Sequence, residues 1–395
     1  DVTLSGFTGA SVDAVTKSGT NEFKGTVYGF YRNQDLTGGT IKGQDVVKPK
    51  LTQSQYGVSI GGPIVKDKLF FFANFEKDER TDLGSAGWVP NTGSGAINES
   101  TVLETDLVTV SNALAALGYD TGAYEGFTYD SGSTKGIFKL DWNVNEKNRL
   151  ALVYNFLRAS KEKPAHPTAL GIRGPSATTL QFENSGYEIN NNIDSFLLEL
   201  NSNFNETTTN KLQVGYTIFD DFRNSLSSPA PSIIIENGSG ANYIVAGHEP
   251  FSINNKLDQR VFQLTNNMNF FQGDHTITVG FSFEKFMFDN SFNLGTYGGT
   301  FGFDVNNTPF NCGDDRNFTS VNDFLTFAQP GGLIDNLING AQSTFNTNNA
   351  NDSWSLAETN VGQLAFYLQD EWEVNNDIKL TYGVRFDKPL FFDTK

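Results

Sequence analysis

The sequence predicts an all-β chain whose antiparallel strands cross a membrane as a transmembrane β-barrel. Long segments alternate apolar and polar side chains with a period of two, which gives each strand one apolar and one polar surface. The connections between them alternate between short polar turns and long loops, and that sorting by length places all the short turns at one end. No apolar run reaches the roughly 18 residues that a membrane helix needs, whereas a barrel strand crosses with about 9–11.

The alternation is plainest in His275–Glu284, where Ile277, Val279, Phe281 and Phe283 share one face and Thr276, Thr278, Gly280, Ser282 and Glu284 the other. It recurs in Leu212, Val214, Tyr216 and Ile218, and in Ile378, Leu380, Tyr382, Val384 and Phe386. About eleven strands follow in order, bounded by Asn, Asp and Gly at the tight turns. Lys24–Asn33 and Thr52–Gly61 come first, and Lys68–Arg80 follows the connection from Gly62 to Asp67. Thr134–Trp142 and Asn148–Arg158 flank Asn143 to Lys147, and Asn192–Asn203 and Lys211–Phe222 flank Asn205 to Asn210. Lys256–Phe270 and His275–Asp289 are joined by Phe271 to Asp274, and Val361–Glu373 and Ile378–Asp387 by Val374 to Asp377. The remaining connections run to about 18, 50, 30, 30 and 70 residues, which suits the long extracellular loops of an outer-membrane barrel.

Two long loops carry helix signals. Thr101 with Glu104 reads as a capping box ahead of Val102, Leu107, Val110, Leu114 and Leu117, with Gly118 ending the helix. Ser320 to Gln329 is a second candidate, stopped by Pro330. Either helix suits a substrate-contacting element or a self-packed surface loop.

Composition removes several function classes. The 395 residues carry a formal charge of −17, which argues against nucleic acid, since phosphate binding needs clustered Lys and Arg. The single cysteine, Cys312, forbids an internal disulfide framework, and three scattered histidines do not form a histidine-rich metal centre. No Gly-x-x-x-x-Gly-Lys-Ser/Thr pattern supports a nucleotide site around Gly9, Gly19 and Gly25. The Cys312 to Asp315 loop lacks the spacing of a calcium loop. On a strand Glu371 and Glu373 share a face while Asp370 takes the other, so these carboxylates do not converge as a catalytic triad. No catalytic constellation is present, no cofactor is implied, and the chain is not read as an enzyme.

The stretch Gly6 to Gly25, containing Ala14-Val15-Thr16-Lys17-Ser18-Gly19-Thr20-Asn21-Glu22-Phe23-Lys24-Gly25, resembles the plug-to-barrel junction of TonB-dependent outer-membrane receptors. The following Tyr28-Gly29-Phe30-Tyr31-Arg32-Asn33 and the hairpin Gly61 to Phe72 narrow the resemblance to the Oar-like branch, of Bacteroidetes type. Tyr367 to Trp372, followed by Leu380 to Asp387, is similar to a barrel hairpin of the whole receptor family. The junction departs from the lysine-rich one of the glycan-importing branch, so glycan import is not implied.

The resemblance implies residues 1–20 as the C-terminal end of a plug domain and residues 21–395 as the N-terminal half of a barrel. The long extracellular loops would be 81–133, 159–191, 223–255 and 290–360. A family member would have 22 strands in all, twice what is read here, so both ends are expected to be internal to a longer chain. At the plug–barrel junction Asp13, Lys17 and Glu22 read as interface charges or, equally, as ordinary turn and edge charges. Gly19 and Gly25 are expected to let the chain turn from plug into wall. Glu371 and an inward-facing Arg385 line the lumen wall, with Arg385 opposing plug acids. Trp142, Trp372, Phe30 and Tyr31 suit interfacial aromatic girdles.

The expected function is import of an unidentified substrate through the bacterial outer membrane, driven by the inner-membrane proton gradient through TonB, ExbB and ExbD. Lipid and lipopolysaccharide would surround the barrel, and a surface lipoprotein or other envelope proteins are further candidate partners. A different class of function is a non-transporting barrel scaffold within an envelope assembly or secretion complex. An upstream TonB box favours import; stable association with other envelope proteins favours the scaffold.

Overall fold

The computed structural model describes residues 2–3, 14–166, 174–249, 251–293 and 317–393. Asp13 and the Cys312 to Asp315 loop lie outside the described residues. Eleven long strands form one antiparallel sheet: β1 (Lys24–Asn33), β2 (Leu51–Val65), β3 (Leu69–Leu83), β4 (Thr128–Asn145), β5 (Asn148–Lys163), β6 (Tyr187–Asn205), β7 (Thr208–Ser225), β8 (Lys256–Gln272), β9 (His275–Ser291), β10 (Ala357–Asn375) and β11 (Ile378–Phe391). Their spatial order is their chain order. Among the described residues, β1 pairs only with β2 and β11 only with β10, which leaves two open edges.

The short connections are tighter than the sequence pattern suggests. Asn145, Asn205 and Asn375 each close a turn by accepting, through the side-chain oxygen, a main-chain N–H two residues on at 2.9–3.0 Å. Gly62 to Asp67, expected as a connection, continues the strand to Val65 past a register shift at Pro63/Val65. At the opposite end the strands outrun their expected limits. β6 starts at Tyr187 and not Asn192, because Asn190, Asn191 and Asn192 carry no apolar alternation while their backbone stays paired to β5 and β7.

Paired residues share a face, so the register sorts the side chains. Phe281, Phe366 and Phe386 form one apolar row across β9, β10 and β11, and Val279, Leu368 and Val384 another. These side chains are open: Val384 is 69% and Phe386 67% exposed. An apolar surface this continuous belongs against hydrocarbon. Trp142, Trp372 and Tyr31 sit on this face by register, as a girdle residue must. Phe30 does not: it pairs with Gln55 on the polar face and packs on Tyr28 two residues away, with ring centroids 5.8 Å apart.

The water-shielded core lies in the loops. Val102, Leu107, Val110 and Leu114 come from the β3–β4 loop, and Leu180 and Phe182 from the β5–β6 loop. Ile233, Ile235 and Ile244 come from the β7–β8 loop, and Phe318, Phe324, Ile334 and Ile338 from the β9–β10 loop. All join one cluster. The four loops therefore fold together as a cap, built on α1 (Glu104–Ala116), α2 (Val321–Phe327), α3 (Leu333–Asn351) and a small sheet of Leu180–Gln181, Asn242–Gly247 and Ser232–Glu236. Self-packing describes the helices, but between loops and not within one. The expected capping box is not formed. Thr101 lies in the short strand Glu99–Leu103, and Leu103 precedes the helix with no side-chain cap, because the backbone before α1 is used for pairing with Val89–Asn91. Ser320 does cap α2, accepting from Asp323 N at 3.1 Å. α3 was not among the expected helices.

Two outcomes follow. Placing a charge mid-wall, as in Phe366→Arg, should cost about 2–4 kcal/mol in urea-induced unfolding from lipid vesicles. Gln263→Arg, on the polar face beside Glu284, should cost little. Leu114→Ala should destabilise the cap by about 2–5 kcal/mol. Hydrogen exchange should then quicken in the segments at 102–117 and 232–247 and not in the strands.

Candidate functional site

The polar face carries the contacts of Val2, Thr3 and Ser18 from the N-terminal segment. Strands present polar side chains there by alternation, and small residues let others cross. Tyr28 on β1 is in register with Gly57 on β2, which is in register with Glu76 on β3. The Tyr28 hydroxyl donates to Glu76 across the glycine, where a Cβ would lie 2.5 Å from the ring. Lys135 on β4 completes the group with an ion pair to Glu76 at 2.6 Å. The arrangement repeats near the other edge. Tyr367 on β10 passes over Gly280 on β9 and donates to Asn267 Oδ1 on β8 at 2.6 Å, and a Cβ at Gly280 would lie 2.4 Å from the Tyr367 ring.

Arg385 on β11 stands beside this second bridge, its guanidinium 5.0 Å from the Tyr367 ring centroid. It donates to Ser282 Oγ at 3.1 Å, to Asp387 at 3.0 Å, and to the main-chain oxygens of Val2 at 3.0 Å and Thr3 at 3.5 Å. Val2 N donates back to Gln369 Oε1 at 2.9 Å, and Gln369 donates to Glu371 Oε1 at 3.2 Å. Arg385 thus lies on the polar face, and its described partners on the segment are carbonyl oxygens and not acids. Glu371 shares the polar face and pairs with Lys379. Asp370 points to the apolar face, where His275 lies at 2.8 Å and the Tyr382 hydroxyl donates at 2.7 Å, so the three acids indeed do not converge.

At the first edge the same segment meets β2, β3 and β4. Ser18 Oγ accepts from Lys139 Nζ at 2.9 Å. Gly19 has ordinary backbone angles, not the left-handed ones of a turn; its role is close approach, since a Cβ there would lie 2.3 Å from Phe71 O and 2.7 Å from Gly62 O. Gly25 lies within β1, in register with Ile60, and makes no turn either. Asn21 is tied to the β2–β3 turn, accepting from Asp67 N at 2.8 Å. Glu22 pairs with Lys24 at 3.5 Å, both well exposed, and Lys17 is exposed and forms no ion pair among the described residues. The contacts that sequence reasoning missed are those of Ser18, Lys139, Gln369 and the two tyrosines. Each depends on strand register, which no local pattern encodes.

This two-faced meander matches the outer membrane beta barrel domain family over residues 15–394, and the chain belongs to that family. It is an outer-membrane protein. It is 29% identical over 188 residues to the TonB-dependent transporter Oar of Myxococcus xanthus, a match covering 43% of this chain and 16% of the relative. The outer membrane transporter YddB from Escherichia coli superposes with a TM-score of 0.48 at 10% identity, over 94% of this chain and 39% of that one. The siderophore receptor PirA from Acinetobacter baumannii gives 0.46 at 14% identity, over 95% and 40%. The chain therefore spans well under half the length of these relatives.

Arg385→Gln should release the segment at residues 2–3 while leaving the strands intact. Charge-assisted hydrogen bonds of this kind contribute at most roughly 1.5–3 kcal/mol, so exchange of the Val2 and Thr3 amides should rise about tenfold or more. Unchanged exchange at both amides would show that Arg385 does not hold them.

Proposed function

We propose that this chain is wall and plug end of a TonB-dependent receptor of the Oar-like branch, importing a substrate with energy delivered from the proton gradient by TonB, ExbB and ExbD. One observation carries the reading. Residues 2–3 are held at β10 and β11, residues 18–21 at β2, β3 and β4, and the contacts of Val2 with Gln369 and Arg385 and of Ser18 with Lys139 lie on the polar face. A porin wall has no need for a segment reaching both edges of its inner face. In this reading residues 1–20 end a plug, the apolar face meets lipid and lipopolysaccharide, and the capped end faces outward.

The eleven strands are then part of a larger barrel, which the two open sheet edges support, because an unpaired ladder cannot stand in hydrocarbon. Energy enters where Arg385, Gln369 and Lys139 grip the segment: a pull that displaces residues 2–3 and 18 breaks the Arg385 bonds to main-chain oxygens, the Val2 N–H bond to Gln369 and the Lys139 bond to the Ser18 hydroxyl, and the wall ladder stays whole. Arg385 and Glu371 line the lumen, and Lys17, Gly19, Glu22 and Gly25 mark the junction with Asp13.

The test is uptake by cells carrying or lacking the full protein, supplied with labelled peptides, glycans and metal chelates. Uptake of at least one class should require the protein and collapse when a protonophore dissipates the gradient. Uptake of no class, together with stoichiometric co-purification of other envelope proteins, would replace the import reading with the scaffold.

A further inference from the structure

Arg385 divides its guanidinium by nitrogen. Nε donates to both oxygens of Asp387 at 3.0 Å, Nη2 donates to Ser282 Oγ at 3.1 Å, and Nη1 meets the main-chain oxygens of Val2 and Thr3. Asp387 on β11 and Ser282 on β9 flank Ala365 of β10 in one register row, so the side chain crosses β10 to reach Ser282. It can lie flat there because Ala365, itself fully buried, puts only a methyl group under it. Bonds at two edges of a planar group define an axis, and the group can still tilt about that axis. A contact on its face removes the tilt. The Tyr367 ring supplies one: it pairs with Arg385 in register, is 4% exposed, and has its centroid 5.0 Å from the guanidinium carbon.

The ring is fixed in turn at its far end, where its hydroxyl crosses Gly280 to Asn267 Oδ1 at 2.6 Å. A relay therefore runs from Asn267 on β8 through Tyr367 and Arg385 to residues 2 and 3. Each crossing passes over a small residue, Gly280 on β9 and Ala365 on β10. We propose that Tyr367 is a positioning residue for the Arg385 grip: its ring sets the tilt at which Nη1 meets Val2 and Thr3, and Gly280 and Asn267 set the ring. The hold on residues 2–3 is then fixed from as far off as β8 and not by β11 alone. What the hold is for rests on the import reading. The orientation of Arg385 does not, and it is measured without transport. A ring that merely packed would act on residues 2–3 by loosening the strands, whether or not Arg385 were present; a positioning ring acts through Arg385.

The experiment uses the full protein in detergent micelles and reads hydrogen exchange at Val2 and Thr3, with the strand amides as internal control. Tyr367→Leu should raise exchange at residues 2–3 about three- to tenfold, the size of a lost cation–π contact. Tyr367→Phe, which keeps the ring, should stay within about twofold of the native protein. Gly280→Ala should act as Tyr367→Leu does, because a Cβ there would enter the space of the Tyr367 ring and of Asn267 Oδ1. In an Arg385→Gln background, Tyr367→Leu should add less than about twofold, since two residues acting through one contact are not additive. Unchanged exchange in Tyr367→Leu, an equal rise in the Arg385→Gln background, or a matching rise in the strand amides would overturn the proposal. Where Gly280→Ala disturbs the pairing of β8 with β9, the two Tyr367 variants still decide. The expected pattern in a protein that imports nothing leaves this role standing and removes the import reading; the converse result does the reverse.

Discussion

Inside a bilayer no water is present to satisfy a backbone N–H or C=O, and each unsatisfied group there costs several kcal/mol. The uninterrupted ladder from β1 to β11 answers that constraint, and the rest of the molecule follows from it. Irregularity is confined to the rim: the register shifts at Pro63/Val65, Asn143/Asn145, Asn203/Asn205 and Glu373/Asn375 all adjoin short turns, where water can reach the unpaired groups. Pro389, which lacks an N–H, lies in β11, a strand with one described neighbour. Once the backbone is fixed in this way, side chains have two faces and no others, and the apolar one is open because lipid, not protein, completes it.

Burial is inverted as a consequence. The strands expose Val384 and Phe386 while Leu107, Phe324 and Ile334 in the loops are fully enclosed. A loop of about 30 residues cannot build a core alone. The four loops, two of them longer, do so when pooled, each giving a strand, helix or aromatic to one cluster. That pooling fixes the upper strand ends relative to each other and creates a cavity under α3, which no single loop encloses.

The wall was legible in the sequence because its information is local. Ile277, Val279, Phe281 and Phe283 announce a lipid face by spacing alone, and Asn145, Asn205 and Asn375 announce turns by their side-chain chemistry. Phe30 misled because an aromatic near a strand end suits either face until Gln55 is known to be its partner. Thr101 misled because a capping sequence competes with pairing to a strand that lies earlier in the same loop. Arg385 was legible as a polar-face residue by alternation but not as a ligand of main-chain oxygens, since nothing in its neighbourhood names residues 2 and 3. The amide richness of α3, with four Asn in its last six residues, hides a helix that packing at Ile334, Ile338 and Ala341 sustains.

The character of the Arg385 contact bears on how a segment is held yet releasable. Arg385 is 12% exposed and spends donors on Ser282 and Asp387 of the wall as well as on Val2 and Thr3. Losing the segment would therefore leave no buried charge without a partner, which is the condition that makes broken ion pairs so costly. A salt bridge to a segment acid would have been harder to open, because separation would strand two charges. Carbonyl oxygens also remain hydrogen-bonding groups whatever side chains the segment carries, so the grip depends on backbone position and not on composition. Lys139 at the far edge follows the same logic: it keeps Asp141 at 3.4 Å when Ser18 departs. Among the described residues, the segment is thus met at both edges by cations that the wall itself already neutralises, and their bonds to it run to neutral atoms.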